Sequence, residues 1–301
     1  MNRDSTYCFL INCASNNHKA ESIFRNKEEQ IRRIFGKDTS VIYVGVHESI
    51  SEIAKKKSSE YSHIIACGGD GTVNRVANGL VGSKAIMGVL PLGSGNDFAG
   101  SIGIKGNLDE NLTFLQKNQT QKIDLVQSNR GCFTNTFGIG IDGLTNYYAS
   151  KLFSNSGKIR YLLGGLTALT NFNPFDVIIK IPELDRRMCR KVWMVAVANG
   201  KTEGGRFKIS PNSINSDGCV EIVIVKDISR LSLIFEFIKL SIGMPFRKKV
   251  VDVISISDKC EITTENEVLA HADGEKTKGV SFNFEVLKQA LPVVVNPSNY
   301  T

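Results

Sequence analysis

The chain has 301 residues, of which 42% are hydrophobic and 22% are charged, and this composition is typical of a globular protein with a sizeable core. That length fits one large domain or two ordinary ones. The formal charge of +7 suits a phosphorylated substrate, an anionic membrane surface or nucleic acid, and it does not choose among them.

Other features of the sequence exclude whole classes of protein. The most apolar segment, residues 231–242, is shorter than the roughly 20 residues that span a bilayer, and it contains Glu236 and Lys239. The N-terminus has no apolar signal segment, so we expect a cytoplasmic protein. Seven cysteines, an odd number without CxxC spacing, favour reduced thiols over a disulfide framework or a zinc site.

Short apolar runs alternate with helical patterns in the first part of the chain. Strands are predicted at residues 7–11, 41–44, 64–67 and 85–90, and helices at 20–35, at 50–54 and from residue 73 onward. This alternation predicts a parallel sheet with helices on its faces, and such sheets bind ligands at the carboxyl ends of their strands. Polar turns at 12–16, 68–72 and 93–97 follow three of these strands, so we expect them to converge on one site.

The turn at 68–72 is the most informative of the three. Gly68, Gly69 and Gly71 permit positive φ angles and the close approach of a bulky anion, and the free N–H groups of the next helix suit a phosphate. Asp70 does not fit an anion site unless a divalent cation, Mg²⁺, lies between the carboxylate and the phosphates. A tight turn that needs glycine only for backbone shape is the alternative interpretation.

The turn at 93–97 repeats this chemistry. Ser94 can donate a hydrogen bond to a phosphate, and Asp97 can hold a metal-bound water. A plain helix N-cap would also explain Asn96 and Asp97. The presence of two such turns in one sheet favours a functional site.

From about residue 125 onward, strands follow one another with fewer helices. Strands are predicted at 133–138, 176–181, 192–198, 220–225, 250–257, 260–264 and 280–284, with a helical interruption around 144–169. The fold class is therefore α/β plus all-β: a parallel-sheet domain at 1–125 and a largely antiparallel β domain at 126–286. The apolar last segment, 287–301, is expected to return to the first domain.

Several acids lie in turns of this second half. Asp217 precedes Gly218, and it either forms an ordinary turn or binds a hard cation together with nearby backbone carbonyls. Asp273 and Glu275 flank Gly274 between two strands, where one of them could take a proton from a substrate hydroxyl. A hairpin turn with solvated acids is the alternative. His271 is interpreted as structural, because no second His or Cys lies at metal spacing.

Two other segments admit a plain interpretation beside a functional one. Residues 138–143 match G-x-G-x-x-G, but no strand ending in an acid follows at the required distance, so close backbone packing at the domain junction is favoured over dinucleotide binding. Residues 231–242 are favoured as a core helix. Because Arg247, Lys248 and Lys249 follow directly, a membrane-facing helix is the alternative.

Gly68-Gly69-Asp70-Gly71-Thr72, followed by residues 92–99, resembles the bacterial soluble diacylglycerol kinase family, which is related to sphingosine and ceramide kinases. The first motif is shared with NAD kinases and phosphofructokinases, whereas the second is more specific to the lipid kinases. The turns at Asp217 and Asp273 also match in type and order, so the resemblance spans nearly the whole chain. The chain departs from the family pattern at the first turn, where Cys13 replaces Pro and Asn17 replaces a basic residue, and at Ser94, which replaces Thr.

The resemblance implies an NAD kinase-like nucleotide domain and a β-sandwich domain with a cleft between them. It implies ATP contacts at Asn12, Cys13, Ala14, Ser15, Asn16, Gly68, Gly69, Asp70, Gly71, Thr72, Asn74, Gly93, Ser94 and Asn96. It further implies a Mg²⁺–water network at Asp70, Asp97 and Asp124, and a second metal at Asp217 and the carbonyl groups of Ile214 and Cys219. Asp273 or Glu275 would act as the base.

We therefore predict an ATP- and Mg²⁺-dependent lipid kinase, with diacylglycerol as the expected substrate. It should contact the inner face of the membrane transiently and bind no nucleic acid, and a homodimer is left open. A kinase of a soluble substrate such as NAD is the first alternative. A non-catalytic regulator that binds nucleotide or lipid is the second.

Overall fold

The computed structural model describes residues 5–152, 157–182, 184–205 and 207–297. The chain divides into two compact units. The first unit comprises Met1–Ile123 and Gln289–Thr301, and the second comprises Asp124–Lys288.

The first unit is a parallel sheet with helices. Its strands are β1 Tyr7–Asn12, β2 Ser40–Val44, β3 His63–Gly68 and β4 Ile86–Pro91, and its helices are α1 Ser15–His18, α2 Ala20–Arg25, α3 Glu28–Phe35, α4 Ile50–Lys57, α5 Asp70–Leu80, α6 Asp97–Ser101 and α7 Leu108–Lys117. The strand order is β2-β1-β3-β4, and all three pairings are parallel. Strands β1 and β3 lie centrally and are almost wholly buried, which explains their continuous apolar sequences.

The helix predicted at 20–35 is in fact two helices, α2 and α3. Asn26 is the C-cap of α2, and Lys27 is the N-cap of α3. Lys27 departs most clearly from regular helix geometry, with φ −111° and ψ −4°. The acids Glu28 and Glu29 then occupy the first turn of α3, where the helix dipole favours negative charge. The apolar spacing continues across the break, so periodicity alone could not reveal it.

The second unit is a mainly antiparallel sheet. Its strands are β5 Thr120–Ser128, β6 Gly131–Phe133, β7 Thr136–Gly140, β8 Phe175–Ile181, β9 Leu184–Ala198, β10 Val220–Lys226, β11 Val251–Ile256, β12 Lys259–Ala272 and β13 Glu275–Val294, and its helices are α8 Ile141–Ala149, α9 Gly157–Asn171 and α10 Arg230–Ser241, with a 3-10 turn at Lys248–Val250. The path through the sheet is β11-β10-β9-β7-β12-β13. Strand β5 begins in the first unit, and β13 ends there, where Val293 pairs in parallel with Met87 of β4.

Side chains from distant segments fix the strand boundaries of this unit. The strand predicted at 133–138 is interrupted at Thr134 and Asn135, because both backbone N–H groups bond to the Asp273 carboxylate instead of a neighbouring strand. The strands predicted at 260–264 and 280–284 are parts of the much longer β12 and β13, which form one hairpin around Asp273 and Gly274.

The G-x-G-x-x-G string at 138–143 serves close backbone packing as predicted, but this packing is not at the predicted domain junction, because all of its partners belong to the second unit. A Cβ atom on Gly138 would lie 2.1 Å from Asp142 Oδ2, and one on Gly143 would lie 2.4 Å from the Leu269 carbonyl oxygen. A side chain at Gly138 or Gly143 would therefore prevent the close packing of β7, α8 and β12. The packing lies inside the second unit.

All seven cysteines are free thiols. Within the described ranges, none of the helices combines the length and apolar character that crossing a membrane requires.

The contact between α4 and α5 provides a test of the first unit. A Cβ atom on Gly79 would lie 2.3 Å from the Ser51 carbonyl oxygen, so we expect Gly79→Ala to lower the free energy of unfolding by about 1–3 kcal/mol. Gly100 is the matched control, because a Cβ there would meet no atom within 4 Å. Urea unfolding should show Gly100→Ala unchanged or slightly stabilised. Equal effects of the two substitutions would contradict this packing.

Candidate active site

Three polar turns of the first unit leave the carboxyl ends of the adjacent strands β1, β3 and β4. The Asn12 side chain, at the end of β1, donates from Nδ2 to Thr72 Oγ1 at 2.8 Å, and the Ser15 hydroxyl lies 3.5 Å from the same oxygen. Thr72 is buried in the first turn of α5. The first and second turns are thus joined through one hydroxyl.

The Asp70 carboxylate joins the second turn to the third. Its Oδ2 accepts the Asn96 backbone N–H at 2.7 Å, and its Oδ1 accepts the Phe98 N–H at 3.2 Å. These donors flank Asp97, which is itself buried at the start of α6. The two acids Asp70 and Asp97 therefore belong to one pair of interlocked turns.

Glycine allows these turns to approach closely. A Cβ atom on Gly93 would lie 2.6 Å from Gly69 Cα and 2.8 Å from Asn96 Oδ1. The Leu92 N–H bonds to the Gly68 carbonyl, and Asn96 Oδ1 accepts the Gly93 N–H at 2.9 Å. Any side chain at Gly93 would therefore separate the two turns.

The chemistry of this turn pair fits a nucleoside triphosphate with Mg²⁺. Helix α5 is 11 residues long and starts at Asp70 without a side-chain cap on its preceding residue, Gly69. Its positive N-terminal end therefore suits a phosphate. A carboxylate oxygen has two lone pairs, so Asp70 can bond to the backbone and still bind a cation or a water ligand.

The first turn has an unusual backbone. Asn16, Asn17 and His18 have φ angles of 53°, 52° and 65°, in the left-handed region. Asparagine and histidine are among the residues other than glycine that adopt this region most often. Cys13 is held by its N–H bond to the Val44 carbonyl, and burial together with the nearby Glu21 raises the pKa of its thiol. The Cys13 sulfur is therefore a protonated neighbour of the site and not a nucleophile.

The second unit positions its late acids on the β12–β13 hairpin. Asp273 has a φ of 45°, and its carboxylate accepts four hydrogen bonds: from the Thr134 N–H and hydroxyl, both at 2.7 Å, and from the Asn135 and Thr136 N–H groups at 3.0 and 2.9 Å. Asp273 therefore holds the 134–136 segment in place. Glu275 is exposed on the far side of Gly274.

A buried cluster lies directly beneath this hairpin. His271 Nε2 is 2.7 Å from Glu203 Oε1 and 3.3 Å from Asp142 Oδ2, and the three residues are at most 6% exposed. His271 Nδ1 lies 3.3 Å from the Gly274 backbone nitrogen, so the cluster contacts the turn that carries Asp273. The sequence identified His271 as structural, but it gave no signal that Glu203 would join it.

The ligand atoms of this cluster lie within 4.8 Å of one another, close enough for one cation. The two carboxylates that face Nε2 favour a proton on that nitrogen, and a protonated nitrogen cannot ligate a metal. Burial by itself lowers the pKa of His271, but the Glu203 and Asp142 carboxylates outweigh it and raise the pKa well above its ordinary value. We therefore interpret the cluster as an imidazole hydrogen-bonded and ion-paired with two carboxylates.

The structure places Asp124 in the second unit, fully buried. Its Oδ2 accepts the Gly218 N–H at 2.7 Å, and its own N–H donates to the Asn215 carbonyl at 2.8 Å. Asp124 thus stabilises the turn that contains Asp217 and the Ile214 and Cys219 carbonyl groups. Asp217 Oδ1 accepts the Cys219 N–H at 2.9 Å, as in an ordinary Asx turn. Both predicted metal roles, for Asp124 and for this turn, stay predictions.

Comparison with known proteins identifies the family. Residues 6–128 match the model of the diacylglycerol kinase catalytic domain, and residues 135–295 match the model of the YegS C-terminal NAD kinase beta sandwich-like domain. The chain belongs to the YegS/diacylglycerol kinase family. The predicted fold class and the predicted family resemblance are both confirmed.

Relatives of this family member include two bacterial proteins. "Probable lipid kinase YegS-like" of Klebsiella pneumoniae (strain 342) is 31% identical over 233 residues, and "Probable lipid kinase YegS" of Salmonella newport (strain SL254) is 30% identical over 235 residues; each match covers 76% of both chains. A solved structure of a diacylglycerol kinase from Bacillus anthracis str. Sterne has a TM-score of 0.75 at 21% identity, covering 99% of both chains. That likeness shows a shared fold, and the family match supports lipid kinase activity.

The buried cluster of this lipid kinase generates a prediction about stability. His271→Gln removes the cation between the two buried carboxylates, so we expect it to lower the free energy of unfolding by about 3–5 kcal/mol at neutral pH. Adding Asp142→Asn removes one of the two negative charges and should restore part of that loss. Urea unfolding of the single and double variants measures both effects. A double variant no more stable than His271→Gln alone would rule out the ion-paired cluster.

Proposed function

We propose that the protein transfers the γ-phosphate of ATP to the free hydroxyl of diacylglycerol. The observation that carries this proposal is that Asp70 joins the 68–72 turn to the 93–97 turn. The N-terminus of α5, which suits a phosphate, thereby lies with the Asp70 and Asp97 carboxylates in one pair of turns. Family membership supports a lipid as the acceptor. The description of the matching family model supports diacylglycerol as that acceptor.

In the proposed reaction, the lipid hydroxyl oxygen attacks the γ-phosphorus and the bond from that phosphorus to the β–γ bridging oxygen breaks. ADP leaves, and the hydroxyl proton passes to a protein carboxylate. Residues of the three turns bind and orient the triphosphate, and Asp70 with Asp97 would hold Mg²⁺. When bound, Mg²⁺ neutralises the charge that develops on the phosphate oxygens.

In this proposal the carboxylate comes from the turn between β12 and β13, which carries Asp273 and Glu275. The four hydrogen bonds to Asp273 occupy the lone pairs that would otherwise accept a proton. Glu275 is exposed and two residues away, so it is the better candidate for the base, and Asp273 positions the turn.

Radiolabelled ATP with vesicles containing diacylglycerol tests the proposed function, with NAD as the competing acceptor. We expect label in phosphatidic acid and none in phosphorylated NAD. Asp70→Ala should reduce transfer at least about a hundredfold, because the cation and the turn pair are both lost. Transfer that survives Asp70→Ala, or transfer to NAD alone, would contradict the proposal. ATP binding without transfer to any lipid would favour the non-catalytic regulator.

Two conservative variants distinguish the proposed roles of Asp273 and Glu275. Glu275→Gln should lower kcat about 10²- to 10⁴-fold, because it removes the base, and it should lower the free energy of unfolding less than Asp273→Asn does. Asp273→Asn should lower stability as well as activity, since the amide cannot accept all four hydrogen bonds. If Asp273→Asn is inactive at full stability and Glu275→Gln is active, the two roles are reversed.

A further inference from the structure

Helix α10 exposes an apolar stripe on its outer face. Leu231, Phe235, Ile238 and Ile242 follow the i, i+4, i+7, i+11 spacing of one helix face, and they are 80%, 56%, 47% and 67% exposed. We refer to these four residues as the α10 stripe. A helix that packs on a core normally has a polar outer face, so this one is apolar on both sides.

The opposite face of α10 packs into the second unit. Leu233, Glu236 and Leu240 are buried there, and Phe237 packs against the apolar residues of the same core. The core-helix interpretation therefore holds for one face of α10, and the other face is exposed.

Helix α9 carries a second exposed apolar row with the same spacing. Ile159, Leu163 and Leu166 are 51%, 46% and 36% exposed, whereas Ala168 and Leu169 are buried. Together with Met244, the rows on α9 and α10 account for eight of the fourteen exposed large apolar side chains among the described residues. Such a concentration marks an interaction surface, because scattered exposed apolar residues are ordinary but clustered ones are not.

The two helices are fixed to each other. The Arg230 guanidinium, at the start of α10, donates to the Thr170 and Phe172 carbonyls at 3.0 and 2.9 Å and to the Leu169 carbonyl, so it caps the C-terminus of α9. The Phe237 ring lies where a Cβ on Gly165 would be, only 2.0 Å away. The exposed surface is therefore preformed.

A basic segment at residues 247–249 is attached to the same helix. The buried Glu236 accepts the Arg247 N–H at 3.0 Å, forms an ion pair with the Arg247 side chain, and pairs with Lys239 at 3.2 Å. Lys248 and Lys249 are exposed, and no salt bridge joins them to another residue in the described part of the chain. Glu236 thus fixes the start of a segment whose two lysines follow Ile242, the last residue of the α10 stripe, by six and seven positions in the chain.

We propose that the α10 stripe, the exposed row on α9 and Lys248–Lys249 form a docking surface for a bilayer that contains anionic lipid. This inference rests on the proposed function for its purpose, since the substrate of a lipid kinase lies in a bilayer. Apolar side chains enter the boundary between headgroups and acyl chains, while neighbouring lysines contact phosphate groups. A twofold dimer through this surface would bring two copies of the same basic segment together, so the charge favours headgroups over a second chain.

Flotation with vesicles, without ATP, tests the surface itself. The double variant F235D/I238D should lower the partition coefficient at least about tenfold for both phosphatidylglycerol and phosphatidylcholine vesicles. K248Q/K249Q should lower it about thirtyfold for phosphatidylglycerol only, as expected for roughly 1 kcal/mol per lysine, and the difference should disappear at 1 M salt. V280D is the matched control, because Val280 is 48% exposed on β13, outside the surface.

Activity assays separate failure of this inference from failure of the proposed function. F235D/I238D should lose turnover of diacylglycerol in vesicles but keep wild-type turnover of a short-chain diacylglycerol dissolved as monomer. If the wild type phosphorylates no lipid, the proposed function fails, and flotation still decides the docking surface. Equal flotation of wild type and F235D/I238D would overturn the inference. So would a wild-type dimer, seen by sedimentation, that F235D/I238D converts to monomer with vesicle binding unchanged.

Discussion

The candidate site depends on one carboxylate that accepts hydrogen bonds from a neighbouring turn. The Asn96 and Phe98 N–H groups lie at the start of the short helix α6, where helix geometry gives backbone donors no partner of their own. Asp70 supplies that partner from the start of another helix, α5. One side chain thereby satisfies the donors of α6, fixes the glycine turns against each other and places its negative charge next to Asp97.

In the second unit, two further carboxylates accept backbone hydrogen bonds from distant segments. Asp273 accepts hydrogen bonds from the 134–136 segment, and Asp124 accepts the Gly218 N–H of a turn more than 90 residues away in the chain. Each of these carboxylates fixes a stretch of irregular backbone, which would otherwise carry unsatisfied polar groups. Loss of activity on replacing Asp70, Asp124 or Asp273 therefore reports on chemistry only when stability is measured beside it.

The buried cluster and the exposed helix surface show two ways in which this unit carries unfavourable groups. His271, Glu203 and Asp142 are buried charges that compensate one another by proximity. The apolar side chains of α10 are exposed groups that are costly in water and favourable against an apolar partner. Glu236 is a further buried charge of this unit, and its carboxylate fixes the start of the basic segment by accepting the Arg247 N–H.

The sequence by itself determined the parallel sheet and the meeting of its polar turns. In a parallel sheet all carboxyl strand ends share one edge, so residues 12–16, 68–72 and 93–97 were expected at that edge, and the adjacent order β1-β3-β4 brings them into contact. The family resemblance likewise rested on local motifs, which remain legible without any structure.

Only the tertiary structure decided which side chains bond to distant backbone groups and which are exposed to solvent. The interruption of the predicted strand at Thr134 and Asn135 depends on Asp273, which lies nearly 140 residues later, and periodicity cannot report such a partner. The meeting of Asp142, Glu203 and His271 likewise joins three separate segments. The apolar stripe of α10 looks like core in sequence, because helical spacing shows that a face is apolar but not what covers it.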